Sequence, residues 1–378
     1  MVKKKIILFL PYSLDKDFIK KYDIQNAKKF FNIEFFDLKR IIKKKENKQF
    51  KLEKELNELK KLLISFKPEL GMMFLNDEFH KQISLYCKKF SNLSIIYKNT
   101  HLIPENIIIR PKRVFFDLIF SRNFFSNFLY IFKKLLNLIN QKNEEKTKFN
   151  FDYSIISGTA GKNISAVHES KKIIKICSDD YKKSFNFKKE NRNYSVFLDE
   201  DLFYHRDYSR QLKKKKFISK AYFAEMNNFF RFYEKKFKTK IIIALHPKCE
   251  KIKAVKKLFS NRLCSIDKTH DLVSKCQYAF AHPSTTSINI PIIYKKPLTF
   301  IVTNELLQNF EWKMRLERRK HFLKQPVLNV SNKKEYLNFE PKMNIDKQGY
   351  QKYLKYFVKS CNKKKCKNSF WEDLNILL

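Results

Sequence analysis

Short apolar runs alternate with amphipathic helical stretches along most of this chain. The first run, residues 6–10, follows three lysines and ends at a Pro-Tyr-Ser turn. It has the length of a buried strand and is too short for the apolar core of a signal peptide. Because strands that alternate with helices form parallel βαβ units, the pattern predicts an α/β protein with parallel sheets.

The chain has 378 residues, which is long enough for two domains. We predict an N-terminal domain over residues 1–190, a C-terminal domain over residues 191–330 and a helical tail over residues 331–378 that packs back across both. Predicted strands cover residues 5–10, 33–36, 71–75, 94–97, 152–157, 172–177, 194–198, 240–245, 263–266, 278–281 and 298–302. Longer predicted helices cover residues 15–31, 51–66, 217–236 and 252–260.

A Phe-rich helical insert is predicted over residues 112–140. Charged residues such as Asp117, Arg122 and Lys133 interrupt it. A membrane span needs about 20 mostly uncharged residues, so we exclude one here. Two interpretations remain: a pair of mostly buried helices, or an amphipathic surface that dips into a membrane interface.

Glycine is scarce, and this excludes several kinds of phosphate site. The chain has four glycines and no GxGxxG segment, so it lacks the usual dinucleotide-binding fingerprint. The one Gly-Lys pair, at Gly161, lacks the surroundings of a P-loop because Ile156 stands where the first glycine is needed. Any nucleotide must therefore be held by other groups.

The charge balance of 80 basic minus 38 acidic side chains, +42, fits more than one origin. It either reflects lysines spread over the surface or attracts anionic lipid or a phosphorylated substrate. We expect no nucleic-acid partner, because no zinc finger, RNP motif or basic zipper occurs. The seven cysteines are scattered and form no CxxC, which argues against a disulfide framework, against structural zinc and for a reducing compartment.

Two polar motifs directly follow predicted strands of the C-terminal domain. His246-Pro247-Lys248 follows one, and His282-Pro283 with a run of hydroxyl residues follows another. The carboxyl ends of parallel strands share one edge of the sheet, where ligands bind, so we expect the two motifs to face one crevice.

The hydroxyl residues Ser284, Thr285, Thr286 and Ser287 stand where a helix should begin. They could cap that helix and nothing more, or they could hold an anion together with the free amides. His246 beside Lys248 could stabilise a departing phosphate by charge or by proton donation, although a histidine after a strand is also commonly structural.

Over residues 195–302 the two motifs resemble those of bacterial sialyltransferases and polysialyltransferases, which are GT-B enzymes with an HP motif and a later S-S/T motif. The resemblance implies an α/β, GT-B-like fold with two Rossmann-type parallel-sheet domains facing a cleft and C-terminal helices crossing back. It also implies that the two motifs grip the CMP part of the donor. The implied donor-binding residues are His246, Pro247, Lys248, His282, Ser284, Thr285, Thr286 and Ser287.

In the resembled family an acidic pair followed by glycine supplies the catalytic base. Here Asp199-Glu200-Asp201 is followed by Leu202 instead. The predicted catalytic residues are Asp199, Glu200, Asp201 and His246, with Asp179-Asp180 as the rival acidic pair. The predicted acceptor-side residues are Gly158, Thr159, Asp179 and Asp180.

The expected function is inverting, metal-independent transfer of a sugar from a CMP-activated donor to a capsule or lipopolysaccharide glycan. A nonulosonic acid such as sialic acid, or Kdo, is the expected sugar, and no cofactor is expected beyond the donor. We expect a cytoplasmic protein at the inner face of the plasma membrane, with a free or lipid-linked glycan as acceptor. One alternative is a CDP-glycerol-type glycerophosphotransferase or another nucleotide-sugar transferase; the other is a non-enzymatic basic protein bound to membranes or nucleic acid.

Overall fold

The computed structural model describes residues 2–10, 14, 18–19, 22–38, 52–74, 78–100, 151–159, 170–204, 218–247, 249–360, 366 and 368–378. The Phe-rich insert, Gly161 and Lys248 lie outside them. The chain divides into two compact units. The first comprises Met1–Leu102, Asn106–Ser178 and Lys359–Leu378, and the second comprises Ile103–Glu105 and Asp179–Val358.

The first unit contains a six-stranded parallel sheet with the order β2-β1-β3-β4-β5-β6. Its strands are β1 (Lys4–Leu10), β2 (Phe31–Asp37), β3 (Leu70–Met73), β4 (Ser94–Asn99), β5 (Phe151–Ser157) and β6 (Ser170–Ile176). Its first three described helices are α1 (Ile24–Phe30), α2 (Leu52–Phe66) and α3 (Glu78–Phe90). The first apolar run is indeed a strand, and residues 6–10 are almost completely buried.

The second unit contains another six-stranded parallel sheet, with the order β12-β11-β10-β7-β8-β9. Its strands are β7 (Tyr194–Leu198), β8 (Lys240–Ala244), β9 (Cys264–Ser265), β10 (Tyr278–Ala281), β11 (Leu298–Val302) and β12 (Val327–Asn329). Counted from β7, this is the Rossmann order with a switch point between β7 and β10. The prediction of a GT-B-like fold with two Rossmann-type parallel sheets is confirmed.

Helices of the second unit precede, connect and follow its strands. They are α4 (Asp179–Lys183), α5 (Lys220–Phe237), α6 (Ile252–Leu258), α7 (Thr269–Lys275), α8 (Asn289–Tyr294), α9 (Asn304–Leu307), α10 (Phe310–Phe322), α11 (Lys333–Leu337) and α12 (Lys347–Tyr353). No helix among the described residues is both long enough and apolar enough to cross a membrane.

Helix α5 shows how aromatic residues build the core of the second unit. Ser219 caps its start by accepting a hydrogen bond from the Ala221 amide. Its buried face is spaced at helical intervals and packs on β7, where the Phe197 and Phe230 rings lie 5.4 Å apart. The members of this face are Tyr222, Phe223, Met226, Phe229, Phe230 and Tyr233. These buried side chains of α5 therefore form a packed layer that supports the second sheet.

The last helix, α13 (Phe370–Leu377), belongs to the first unit, so the chain crosses back as predicted. Its Trp371 is 1% exposed, and the indole N–H donates to the Tyr22 carbonyl at 2.7 Å. Nearby, Cys177 and Cys366 form a disulfide. The scattered cysteines argued against a disulfide framework, and they did not predict this single pair. The two residues are 189 positions apart and meet only through the returning chain.

Candidate functional site

Three neighbouring strands of the second sheet end at the same level. Leu198 of β7 pairs with Ala281 of β10 on one side and with Ala244 of β8 on the other. Adjacent strands lie about 4.8 Å apart. The loops that begin at Asp199 and His282 are therefore neighbours at the switch point, and the loop that carries His246 lies one strand further along.

A hydrogen bond joins the loop after β7 to the loop after β10. The Ser284 hydroxyl donates to the Glu200 carboxylate at 2.5 Å, and both side chains are buried. The structure thus brings together the acidic segment, residues 199–201, and the hydroxyl loop, residues 282–287. Glu200 and Ser284 are 84 residues apart in sequence.

The four hydroxyl residues are not equivalent. Ser284 is engaged with Glu200, and the buried Thr285 accepts a hydrogen bond from the Ser287 amide at 3.1 Å and so caps the turn Thr286–Ile288. Thr286 is exposed and Ser287 is half-buried. Two of the four hydroxyls are therefore already engaged within the protein, and contact of all four with a ligand stays a prediction.

His282 lies inside the unit. Its imidazole is fully buried, with Nδ1 2.8 Å from the Ile301 carbonyl and Nε2 2.6 Å from the Tyr222 hydroxyl. Burial lowers the pKa of His282 to about 4, so the ring is neutral at pH 7. Since a carbonyl only accepts, Nδ1–H donates to Ile301 and Nε2 accepts from Tyr222. The expectation that His282 contacts the donor is corrected, because the buried imidazole supports the loop from beneath.

His246 is half-buried directly after β8, and Pro247 beside it is exposed. The His246 carbonyl accepts a hydrogen bond from the Cys249 amide at 2.9 Å, which closes a tight turn. The turn leaves His246 near the surface of the same sheet edge. Of the described residues predicted to bind the donor, His246, Pro247, Thr286 and Ser287 therefore retain access to solvent.

The acidic segment is buried as well. Asp199, Glu200 and Asp201 are each less than 8% exposed. Burial, and then the charge of Asp201, raises the pKa of Asp199 to about 8. Burial and the charge of Glu250 raise the pKa of Asp201 to about 6. The segment therefore holds protons near neutral pH and can exchange them there.

The acidic segment has a tight backbone. Asp201 adopts a left-handed conformation with φ of 53°, and its amide donates to the Asp199 carboxylate at 3.1 Å. Aspartate is among the residues that best tolerate this conformation. Leu202, which stands where the resembled family has glycine, is buried in the core. The departure from the motif thus has a packing reason.

Sequence reasoning missed Arg319, which lies fully buried under the hydroxyl loop. Its Nε donates to the Pro283 carbonyl at 2.7 Å, and Nη1 donates to the Tyr353 hydroxyl at 3.3 Å. The Tyr353 hydroxyl in turn donates to the Asn289 side chain at 2.8 Å. A signal was present: Arg319 continues the helical spacing of Trp312 and Leu316, so an arginine occupies the buried face of α10.

The predicted acceptor-side residues fall in different places. Gly158, with φ of 68°, and Thr159 follow β5 in the first unit. Asp179 and Asp180 begin α4 and belong to the second unit, not to the predicted acceptor domain.

Asp180 forms part of a different cluster. Its carboxylate lies 3.5 Å from Nε2 of His270. The other ring nitrogen of His270 lies 3.2 Å from the Tyr294 hydroxyl, and Phe187 stacks on the ring. This arrangement makes Asp180 a structural partner of His270, which weakens it as the rival base. Among the described residues, no group of three or more His, Cys, Asp or Glu side chains could hold a metal ion.

Comparison with solved structures finds glycosyltransferases at very low sequence identity. MurG of Acinetobacter baumannii has a TM-score of 0.45 at 6% identity, covering 94% of this chain and 96% of that chain. The glycosyltransferase of kitacinnamycin has a TM-score of 0.48 at 8% identity, covering 99% and 98%. SnogD from Streptomyces nogalater has a TM-score of 0.46 at 7% identity, covering 100% and 99%.

No family model matches the sequence, and no curated protein matches it. At such identities and TM-scores the structural neighbours carry no argument about function. The fold assignment accordingly rests on the strand order of the two sheets.

Proposed function

We propose that the chain is a GT-B glycosyltransferase that binds a nucleotide-sugar donor at the switch point of its second sheet. One observation carries the proposal. Hydroxyl and carboxyl groups from two distant loops meet at the carboxyl ends of β7 and β10, joined by the bond from Ser284 to Glu200. In an open parallel sheet this is the position where ligands bind.

The resemblance of the two motifs supports a CMP-activated sugar as the donor and a surface glycan as the acceptor. In this proposal His246 and the Thr286 hydroxyl contact the phosphate of the donor. A carboxylate of the acidic segment takes the proton of the acceptor hydroxyl as its oxygen attacks the anomeric carbon. The bond from that carbon to the phosphate oxygen breaks, and CMP leaves with the electron pair. His246 stabilises the leaving phosphate by charge or hydrogen bonding.

The charge of the acidic segment must be compatible with a phosphate nearby. The pKa of about 8 keeps Asp199 mostly protonated at pH 7, which removes one negative charge from the cluster. Asp201, with a pKa of about 6, is mostly ionised at the same pH and is the better proton acceptor. We therefore assign the base to Asp201 within this proposal.

A binding panel tests the donor class. Thermal shifts with CMP, CDP, UDP and GDP should show the largest stabilisation with CMP, followed by product formation with a panel of CMP-sugars. A preference for CDP would favour the glycerophosphotransferase alternative. If no nucleotide stabilises the protein, the proposal is refuted. Steep salt-dependent binding to DNA in that case would favour the non-enzymatic alternative.

A histidine variant tests the site. His246→Ala should reduce turnover by about 100-fold or more while leaving the unfolding midpoint nearly unchanged, because the side chain is half-buried and acts on the leaving group. His270→Asn is the matched control, since it removes a histidine of the same unit that contacts Asp180. Equal losses in both variants would argue against a special role of His246.

Association with a membrane is a separate proposal that rests on the net charge of +42. Co-sedimentation with vesicles rich in anionic lipid should fall as salt rises, because exposed charges more than about 10 Å apart are screened at 0.1 M ionic strength. Binding that is equal to neutral and anionic vesicles would contradict it.

A further inference from the structure

The buried guanidinium of Arg319 lies beneath the hydroxyl loop and binds it. Arg319 Nε donates to the Pro283 carbonyl at 2.7 Å, and Nη2 makes a long contact of 3.5 Å to the Thr285 carbonyl. The guanidinium is fully buried, and it can donate several hydrogen bonds in a fixed plane. Two carbonyls of one short loop therefore point at the same positive group.

This fixes the direction of the loop amides. A trans peptide is planar and sets its carbonyl and the next N–H on opposite sides. With the Pro283 carbonyl turned toward Arg319, the Ser284 amide points away from it. The Thr285 carbonyl does the same for the Thr286 amide. Both N–H groups are thus directed to the side of the loop opposite the guanidinium.

The contacts of the guanidinium extend beyond the loop. Nη1 reaches the Tyr353 hydroxyl, which itself donates to Asn289 in α8. At the start of the loop His282 is held by Tyr222 and Ile301. The loop is therefore held both at His282 and through the carbonyls of Pro283 and Thr285.

We propose that Arg319 is a positioning residue for the donor phosphate: it orients the amides of Ser284 and Thr286 toward the phosphate without touching it. This inference rests on the proposed function, because it takes the phosphate of a nucleotide as the ligand. The buried positive charge beneath the loop also favours an anion above it. The fit is specific to arginine, because its planar fork can donate to two carbonyls at once.

The test distinguishes the contribution of the phosphate to binding from that of the nucleoside. The dissociation constants of CMP and of cytidine are measured by calorimetry for the wild type and for Arg319→Gln. In the wild type CMP should bind much more tightly than cytidine. The variant should lose at least tenfold in this ratio, whereas cytidine alone should bind as before. A merely structural role of Arg319 would weaken both ligands together or neither.

Arg319→Lys keeps the charge and serves as the second variant in case the glutamine protein does not fold. One ammonium group cannot hold both carbonyls in the same geometry, so the CMP-to-cytidine ratio should fall by about threefold or more. A ratio unchanged in a folded variant would overturn the inference. A wild type that binds CMP no better than cytidine would also overturn it, and one that binds no nucleotide at all would refute the proposed function first.

Discussion

Replacing Asp199 by asparagine should change stability in a way that depends on pH. The difference in stability between the variant and the wild type should grow in favour of the variant as the pH rises. The Asp199 carboxyl is buried, and its pKa is raised from the ordinary 3.8 to about 8. Between these values the folded protein keeps the proton and the unfolded chain releases it. The wild type therefore loses stability as the pH rises through this window, and asparagine removes that loss.

The size follows from the width of the window. Each pH unit in which only the folded state holds the proton contributes about 1.4 kcal/mol. From pH 5 to pH 8 the ceiling is about 4 kcal/mol, and sharing of protons with Asp201 lowers it to on the order of 2–4 kcal/mol. For a unit of this size, that corresponds to a relative rise in the unfolding midpoint of roughly 4–16 °C.

The assay is thermal unfolding of both proteins at half-unit steps from pH 5 to pH 9. Because the chain forms two compact units, the midpoint of the transition is compared and a single global free energy is not assumed. Asparagine preserves an acceptor for the Asp201 amide, so the loop geometry is retained. Glu58→Gln, at an exposed carboxylate of the first unit, is the control.

A difference in midpoint between Asp199→Asn and the wild type that stays constant from pH 5 to pH 8 would refute the raised pKa of Asp199. A constant difference would mean that Asp199 is ionised in the folded protein throughout this range, as it is in the unfolded chain, and that its pKa is not raised.

Two further changes probe the packing of the first unit and the connection at the switch point. Trp371→Ala should destabilise the first unit by about 3–5 kcal/mol, because it removes a buried indole and its hydrogen bond to the Tyr22 carbonyl. Chemical denaturation measures this loss. A loss below about 1 kcal/mol would show that α13 is not needed for the fold. Ser284→Ala should lower the free energy of unfolding by about 1–3 kcal/mol and weaken CMP binding, because Glu200 loses this buried hydrogen-bond donor. Unfolding experiments measure the first effect and calorimetry the second. An unchanged affinity for CMP would mean that the hydroxyl loop is not part of the donor site.

The course of the strands was largely predictable from the sequence. Residues 194–198, 278–281 and 298–302 were each predicted as strands, and the structure has β7, β10 and β11 with these bounds. Such strands are easy to predict from the sequence because they are continuous apolar runs bounded by polar residues, as expected for strands buried on both faces. The strand predicted over residues 33–36 begins earlier in the structure, at Phe31. The helix before it was therefore predicted to end too late.

The surroundings of the site were less predictable. Sequence spacing puts His282 and Ser284 at a strand end, but it does not say which side chains turn inward. That depends on partners far away in sequence, such as Tyr222 for His282 and Glu200 for Ser284. The pairing of Cys177 with Cys366 depends likewise on the return of the chain to the first unit. Local patterns carry no information about such contacts.

The scarcity of glycine and the burial of Arg319 belong to one explanation. Phosphate loops usually rely on glycine because it lets successive amides turn toward the ligand at little steric cost. Here the loop contains no glycine, and Thr285 keeps an ordinary extended conformation with φ of −66°. The orientation that glycine would permit is instead imposed from below, by a guanidinium that binds the carbonyls of the same peptide groups. A loop held in this way has less freedom to adjust to its ligand, so its affinity for a phosphate should depend more on the residue beneath it than on any one hydroxyl within it.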